Sequence, residues 1–380
     1  MTGQPRRPRF SIVSAVYNVE PYLPEFIASI DRQRFPLDDV EVIAVDDGST
    51  DGSLDLLIAW AQRHPGRVHV YTKPNGGQGS ARNLGLQHAS GEWVTFPDPD
   101  DRLGRDYLRA ADRFATANPG VEVMSARPVL LEEATRAMSF AHPRSWQYTR
   151  GDRAANLVEE PNVFLGVSSG AFFRLDRIGA RELRFDTRIR PNFEDGHFAA
   201  RYVLDLPEPV IGLLHDAVYV YRKRAAGTST LQGSMGHPGR YSNVLEHGYL
   251  DLLERGRRPD GSVPGWIQQL IVYELSWYLS EDEKITSSVD LPQDLAPRFH
   301  ELLDRILGQL EPGSVAGHRA RHLAPRWRDL LAHAGRGLGW RSPFVVRSRL
   351  DRAMGLRRIQ YRFVGAPPTA SPRRTRTWRS

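Results

Sequence analysis

Four short apolar runs, at residues 10–17, 40–45, 68–71 and 93–96, alternate with stretches of helical spacing, and that alternation restricts the chain to a layered α/β architecture. Strands this short and this apolar belong to a parallel sheet with helices on both faces. Two of the runs lead into acidic clusters, Val45-Asp46-Asp47-Gly48-Ser49-Thr50-Asp51 and Phe96-Pro97-Asp98-Pro99-Asp100-Asp101. Ligands of an open parallel sheet collect beyond the carboxyl ends of its strands, so acids far apart in sequence converge there. The pattern predicts a place for a metal and a nucleotide. Taken singly, Asp-Gly-Ser also reads as a turn, and Asp-Pro-Asp-Asp as a turn joined to a helix cap; the pair in this order carries the reading.

Pro21 opens a helix carrying Leu23, Phe26, Ile27 and Ile30, since proline is tolerated in a first turn. Helices follow at 53–63, with Leu54, Leu57, Ile58 and Ala61 as the expected inner stripe, at 79–89 and at 106–117. The turn after the first strand, Tyr17-Asn18-Val19-Glu20-Pro21, lacks the glycine fingerprint of a dinucleotide fold, and no phosphate loop of the nucleotide triphosphatases occurs. Instead, Lys73-Pro74-Asn75-Gly76-Gly77-Gln78-Gly79-Ser80-Ala81-Arg82 forms a glycine-rich entry to a helix, read either as a plain turn or as an anion site reinforced by Arg82.

Strand-like pieces at 121–124, 163–166 and 171–174, separated by polar loops, suit an acceptor-binding region. Glu194 and Asp195 then open a helix, where the helix dipole alone would also favour carboxylates. A strand at 217–221 ends in Arg222-Lys223-Arg224, with Ser229 and Thr230 close behind. Beyond residue 240 the texture becomes helical, at 248–255, 265–280, 296–310 and 318–334, and the stripe Trp266, Leu270, Tyr273 and Trp277 reads as core.

At 380 residues and 40% hydrophobic content the chain predicts about two domains. Cysteine is absent, which excludes disulfides, thiolate metal sites and cysteine nucleophiles. Residues 1–9 carry no apolar leader and no segment is long enough to span a bilayer, so a cytoplasmic location is the default expectation. The net charge of +6 hides an asymmetry: residues 341–380 contain eleven arginines against one acid, Asp351, leaving a mildly acidic body. Such a segment is expected either as a solvated, partly disordered terminus or as a peripheral contact with an anionic membrane. Nucleic acid is not expected as a partner, because no nucleic-acid-binding motif accompanies the arginines.

These motifs in this order resemble the family 2 glycosyltransferases of the GT-A fold, over roughly residues 8–230. The likeness rests on Ser14-Ala15-Val16-Tyr17-Asn18, the Asp46-Asp47 turn, the 75–85 loop, Gly91-Glu92-Trp93 leading to Asp98-x-Asp100-Asp101, and Glu194-Asp195. It implies a GT-A Rossmann-like, mostly parallel sheet over 8–235, a helical C-terminal domain over 240–340 and a basic tail over 341–380. It also implies an inverting transfer of sugar from a nucleotide-diphosphate donor, UDP-sugar favoured, to a hydroxyl of a glycan or polyol-phosphate polymer.

By the same resemblance, Tyr17, Asp46, Asp47, Asn75, Gly76, Arg82, Asp98, Asp100, Arg222 and Arg224 would bind the nucleotide-sugar. Asp98 and Asp100 would hold Mn²⁺ or Mg²⁺, a hard cation that offsets the charge developing on the departing diphosphate. Asp195 would be the catalytic base and Glu194 its companion. The prolines flanking Asp98 depart from the usual motif, and leave the ligand roles open among Asp98, Asp100 and Asp101. The helical region is similar, less specifically, to appendages of wall teichoic acid glycosyltransferases.

Three other readings stand beside this one. A polyprenyl-phosphate or glycolipid acceptor at the membrane would use the basic tail, and a non-catalytic sugar- or polymer-binding module would need none of the acids. Gly166-Val167-Ser168-Ser169-Gly170 formally matches a hydrolase nucleophile elbow, but the strand-like 171–174 follows where that motif needs a helix.

Overall fold

A computed structural model describes residues 7–224, 234–279, 294–336, 339–341, 346–351, 356–360 and 363–364. Strands β1 (Phe10–Val16) and β2 (Val40–Asp46) are buried along their whole length. Phe10, Ile12 and Val16 join one apolar core and Val13 and Ala15 the other, the two-residue period of a strand covered on both faces. Around them lie α1 (Leu23–Asp31), α2 (Ser53–Arg63), β3 (Val68–Thr72), α3 (Gln78–His88), β4 (Trp93–Thr95), β5 (Arg102–Leu103) and α4 (Tyr107–Ala117). Helix α3 approaches β1 so closely that a Cβ on Gly85 would lie 2.4 Å from Val13 Cγ1.

The chain continues through β6 (Val123–Glu132), β7 (Met138–Ser139), β8 (Arg153–Asn156), β9 (Ala171–Arg174), α5 (Leu175–Ala180), α6 (Glu194–Leu204) and β10 (Val210–Lys223). The sheet runs in the order β3-β2-β1-β4-β9-β6-β10-β5, with β7 on β6 and β8 on β10. β1 is parallel to β2 and β4, and β2 to β3, as the alternating pattern predicts. The sheet as a whole is mixed, because β9 runs antiparallel to both β4 and β6, and β5 antiparallel to β10. The pairing of β10 with β6 shifts register between Leu214 and Val218. Irregularities of this kind bend a strand and re-aim its side chains, and beyond this one Tyr219 and Val220 pair with β5 beside the acidic turn.

Two local expectations in and beside the sheet are corrected. The buried face of α2 is Ser53, Leu57 and Trp60, whereas Ile58 is 42% exposed. The bulky Trp60 ring fills the core, with its Nε1–H donating to Asp31 Oδ1 at 3.2 Å, and this rotates the helix away from the expected stripe. Val163, Phe164 and Leu165 are buried but form no strand. They pack between the sheet and the helical region without pairing as a strand, with the Phe164 ring against Tyr273.

That region begins with a π-helical segment, Val244–Leu250, running into α7 (Asp251–Arg255). It continues as α8 (Gly265–Tyr278), α9 (Ala296–Leu307), α10 (Pro312–Ala316) and α11 (Pro325–His333). The helix expected over 318–334 starts only at Pro325, a residue suited to a first turn. One apolar cluster runs from Val13 and Phe173 of the sheet through Phe164 and Leu165 to Trp266, Leu270 and Leu302. The change in sequence texture near residue 240 is therefore not a gap in packing. Within the arginine-rich segment β11 (Trp340–Arg341) pairs with β14 (Phe363–Val364), and β12 (Val346–Asp351) with β13 (Leu356–Gln360). The remainder of that segment, and Ser229 and Thr230, lie outside the described residues. No described helix is long and apolar enough to cross a membrane.

Candidate active site

The first acidic turn begins where β2 ends. Asp46 accepts the main-chain N–H groups of Gly48 and Ser49, both at 3.2 Å, and Gly48 takes a φ of +78° that favours glycine. Asn18 ties this turn to the end of β1 by accepting the Thr50 N–H at 2.8 Å, and Tyr17 stands 46% exposed beside it. Asp47 faces inward. It accepts Lys73 Nζ at 2.6 Å and the N–H groups of Gly76 at 3.0 Å and Gly77 at 2.6 Å, so it fixes the Asn75–Gly76–Gly77 loop. On the far side of that loop the guanidinium of Arg190 donates to the Gly76 carbonyl, a contact that no spacing in the sequence signals.

Arg82 overturns the expectation of a phosphate-facing cation. It is buried, stacked over Phe185, and its fork is used twice: Nη2 on Asp98 Oδ1 at 2.6 Å and Nη1 on Glu194 Oε1 at 2.9 Å. Burial disfavours its charge, but Asp98, Glu194 and Asp195 outweigh this and raise its pKa. One guanidinium therefore draws together the end of β4 and the start of α6, nearly one hundred residues apart.

The second acidic turn divides its labour. Asp98 keeps about a quarter of its side chain exposed. Burial together with the nearby Asp100 and Asp195 charges pushes its carboxyl up to about 6, against the pull of Arg82. Asp100 Oδ2 receives Arg224 Nη2 at 2.8 Å. Asp101 is buried, accepting Tyr219 Oη–H at 2.6 Å and the Arg222 N–H at 2.7 Å, and so anchors the turn. Tyr219 Oη in turn accepts the Asp98 N–H at 3.0 Å.

Arg222 is likewise a brace, not a cation open to phosphate. Its Nε donates to the Asp100 carbonyl at 2.7 Å and its Nη2 to Glu25 at 2.8 Å, with the Tyr22 ring against it. Arg224 lies over the same ring while holding Asp100. Tyr22, Glu25 and Tyr219 are absent from the sequence expectations, because their partners come from elements that only the sheet brings together.

At the start of α6, Glu194 is buried on Arg82. Burial, with the Asp195 and Asp98 charges, raises its carboxyl to about 7 despite that partner. Asp195 is half-buried, its Oδ1 accepting the Gly196 N–H at 2.7 Å and its Oδ2 the Ser168 N–H at 3.3 Å. Ser168 thus contributes its main chain; its hydroxyl is buried and β9 follows it, which removes the hydrolase reading. His197 packs: it is buried, with Nε2 on Asp251 at 2.7 Å, and burial lowers its pKa. Glu274 of α8 is a further acid. Burial and the Asp195 charge push its carboxyl up to about 8, against Arg144 and Arg240.

Among the described residues no group of three or more His, Cys, Asp or Glu is arranged to hold a metal by itself. Asp98 Oδ2 and Asp100 Oδ1 nevertheless make no hydrogen bond among the described residues. Two carboxylate oxygens, with the remaining positions filled by diphosphate and water, suit the way Mg²⁺ binds beside nucleotides.

Residues 11–178 match the family Glycosyl transferase family 2. The chain is 26% identical over 307 residues to the minor teichoic acid biosynthesis protein GgaB of Bacillus subtilis, covering 80% of this chain but 32% of GgaB. It is 36% identical over 106 residues to the poly(ribitol-phosphate) β-N-acetylglucosaminyltransferase TarS of Staphylococcus aureus, covering 28% of this chain and 18% of TarS. The chain thus spans a third or less of the length of these two relatives. In structure it superposes on TarS 1–349 in complex with UDP-GlcNAc with a TM-score of 0.64, 21% identity, and coverage of 85% of this chain and 86% of that one. On the mannosyltransferase PcManGT of Pyrobaculum calidifontis, in complex with GDP-Man and Mn²⁺, the TM-score is 0.51, with 22% identity and coverage of 82% and 78%. Over residues 11–178 the chain is thus similar to family 2 glycosyl transferases, and it shares the fold of TarS 1–349.

Proposed function

We propose that the chain transfers a sugar from a nucleotide-diphosphate donor, UDP-sugar first, to a hydroxyl of a polyol-phosphate polymer, with inversion at the anomeric carbon. The observation that carries this is the Arg82 fork on Asp98 and Glu194, because it sets the acids beyond β4 beside the helix start that bears Asp195. The kinship with GgaB and TarS supports the polymer acceptor, and the UDP-GlcNAc complex of TarS supports the donor.

In this reading the Asp46 turn, with Tyr17 exposed beside it, receives the nucleoside, and the Asp47-fixed loop of Asn75 and Gly76 borders the donor. Asp98 and Asp100 would hold Mn²⁺ or Mg²⁺, which when bound supplies Lewis-acid neutralisation of the leaving diphosphate. Arg224 orients Asp100, Arg82 orients Asp98, and Arg222 with Tyr219 keeps the turn rigid beneath them. Two main-chain N–H groups steady Asp195, and an ionised carboxylate has lone pairs to spare beyond those two bonds. Asp195 takes the proton from the acceptor hydroxyl as its oxygen bonds to the anomeric carbon. The bond from that carbon to the diphosphate oxygen breaks, and the nucleoside diphosphate departs with the electron pair.

The test is UDP release from a panel of UDP-sugars with poly(ribitol phosphate) or poly(glycerol phosphate), with Mn²⁺ present and after chelation. Acceptor-stimulated, chelator-sensitive release is expected. Donor binding without any turnover would favour the non-catalytic module, and turnover only with polyprenyl-phosphate would favour the lipid acceptor.

A further inference from the structure

Arg222 connects the acidic turn to a second feature. While its Nε holds the Asp100 carbonyl, its Nη2 reaches Glu25, which lines a cavity of about 250 Å³ together with Ser29, Arg32, Arg102, Arg105 and Val220. Glu25 is the one acid in that lining and it is already over-engaged: Arg222 Nη2 lies at 2.8 Å, Arg136 Nη1 at 3.0 Å and Arg102 Nη1 at 3.4 Å. Burial alone would raise its carboxyl, but the hydrogen bonds from Arg222 and Arg136 outweigh this and hold it below the usual range.

The cations are in the opposite condition. Arg32 and Arg105 are exposed and make no side-chain hydrogen bond or ion pair among the described residues. Arg102 Nε is buried with no acceptor. Two exposed guanidiniums on one cavity wall, with Glu25 already engaged, leave positive charge there that an anion would answer.

We propose that this cavity is an anion site that takes a phosphodiester of the acceptor polymer away from the reacting unit, resting on the polymer reading above. Arg32 and Arg105 close on the phosphate from the rim, and Arg102 adds its charge beneath them. A polyol-phosphate chain repeats its phosphate at every unit, so a strand with one hydroxyl before Asp195 carries further phosphates along the surface. A lipid headgroup presents similar chemistry. Yet among the described residues none of the exposed large apolar side chains, Tyr17, Ile58, Met138, Phe140 and Val158, lines this cavity, which favours the polymer.

The experiment uses the full chain and the double variant Arg32→Gln/Arg105→Gln, both positions being exposed, with Arg102→Gln as a separate variant. Anisotropy of a fluorescein-labelled oligo(ribitol phosphate) is titrated at several salt concentrations, and donor hydrolysis to water is measured in parallel. The double variant is expected to bind roughly tenfold more weakly, the effect of two exposed ion pairs, with a shallower salt dependence. Its donor hydrolysis should stay at the parent rate.

Unchanged affinity and salt slope in the double variant would overturn the site. So would loss of binding to phosphatidylglycerol vesicles with oligomer binding intact, since the cavity would then read lipid. If the parent binds the oligomer but no donor is turned over, the transfer reading fails while the anion site stands.

Discussion

The two acid-bearing ends of the site are held by different means. At the end that the proposal gives to the donor, Asp46 and Asp47 are fixed largely by amides of their own turn and of the neighbouring loop, so their geometry is written within about thirty residues. At the other end, which the proposal gives to the acceptor, Glu194 depends on Arg82 across 112 positions, with Glu274 arriving from a helix of the C-terminal region. The Asp46–Asp47 end is a local motif, whereas the Glu194 end is an assembly of distant elements. Damage should follow this division: changes at the Glu194–Asp195 end reach catalysis or the folded core, and changes at the Asp46–Asp47 end loosen one loop.

The sharpest separation comes from Asp195→Asn, which keeps the shape and removes the proposed base. Transfer to the acceptor should fall by about 10²–10⁴-fold, the usual worth of general base catalysis. Donor affinity, read by calorimetry with UDP, should hold. An unaltered transfer rate would remove Asp195 from its role and dissolve the contrast.

Arg82→Met attacks the joint between the two ends. It leaves Asp98 and Glu194 without their shared partner, and breaking a buried pair from one side costs about 3–5 kcal/mol. Denaturant unfolding of the variant should show that loss. A variant as stable as the parent would mean that the two acids do not depend on this guanidinium. Asp47→Asn should be milder, since it weakens charge-assisted bonds to Lys73 and the Gly76 and Gly77 amides, worth about 1.5–3 kcal/mol where a charge is involved. Its signature is a raised KM for donor with kcat little changed.

The same division explains what could be read from the chain. The strands at 10–17, 40–45, 68–71 and 93–96 are legible because each is an unbroken apolar run, and the acids after them because a parallel sheet sends ligands to that edge. The antiparallel entry of β9 is not legible: Ala171–Arg174 looks like any buried strand, and its direction is set by β4 and β6 on either side. Arg82 stands where an anion-binding arginine would stand, and only the fold shows that two carboxylates already occupy it. Tyr219 and Arg222 meet Asp101 because of the irregular stretch in β10, which period-two spacing does not encode.

Glu274 provides the finest test, because it asks whether the helical region acts electrically on the site or only packs against it. Its carboxyl is raised from 4.5 to about 8, by burial first and then by the Asp195 charge, with Arg144 and Arg240 pulling the other way. An acid raised on folding takes up a proton as the chain folds. Its contribution to stability is therefore complete below about pH 4.5 and is lost as pH climbs through 8. One proton sets a ceiling of about 1.4 kcal/mol per pH unit, and partial exposure brings the expected loss between pH 6 and 8 down to the order of 1 kcal/mol. Glu274→Gln removes that proton, so denaturation midpoints of variant and parent should agree near pH 4.5 and diverge above it, with the variant the more stable at pH 8. Parallel curves across the whole range would place Glu274 in water, and would reduce the part played by the helical region at Asp195 to packing.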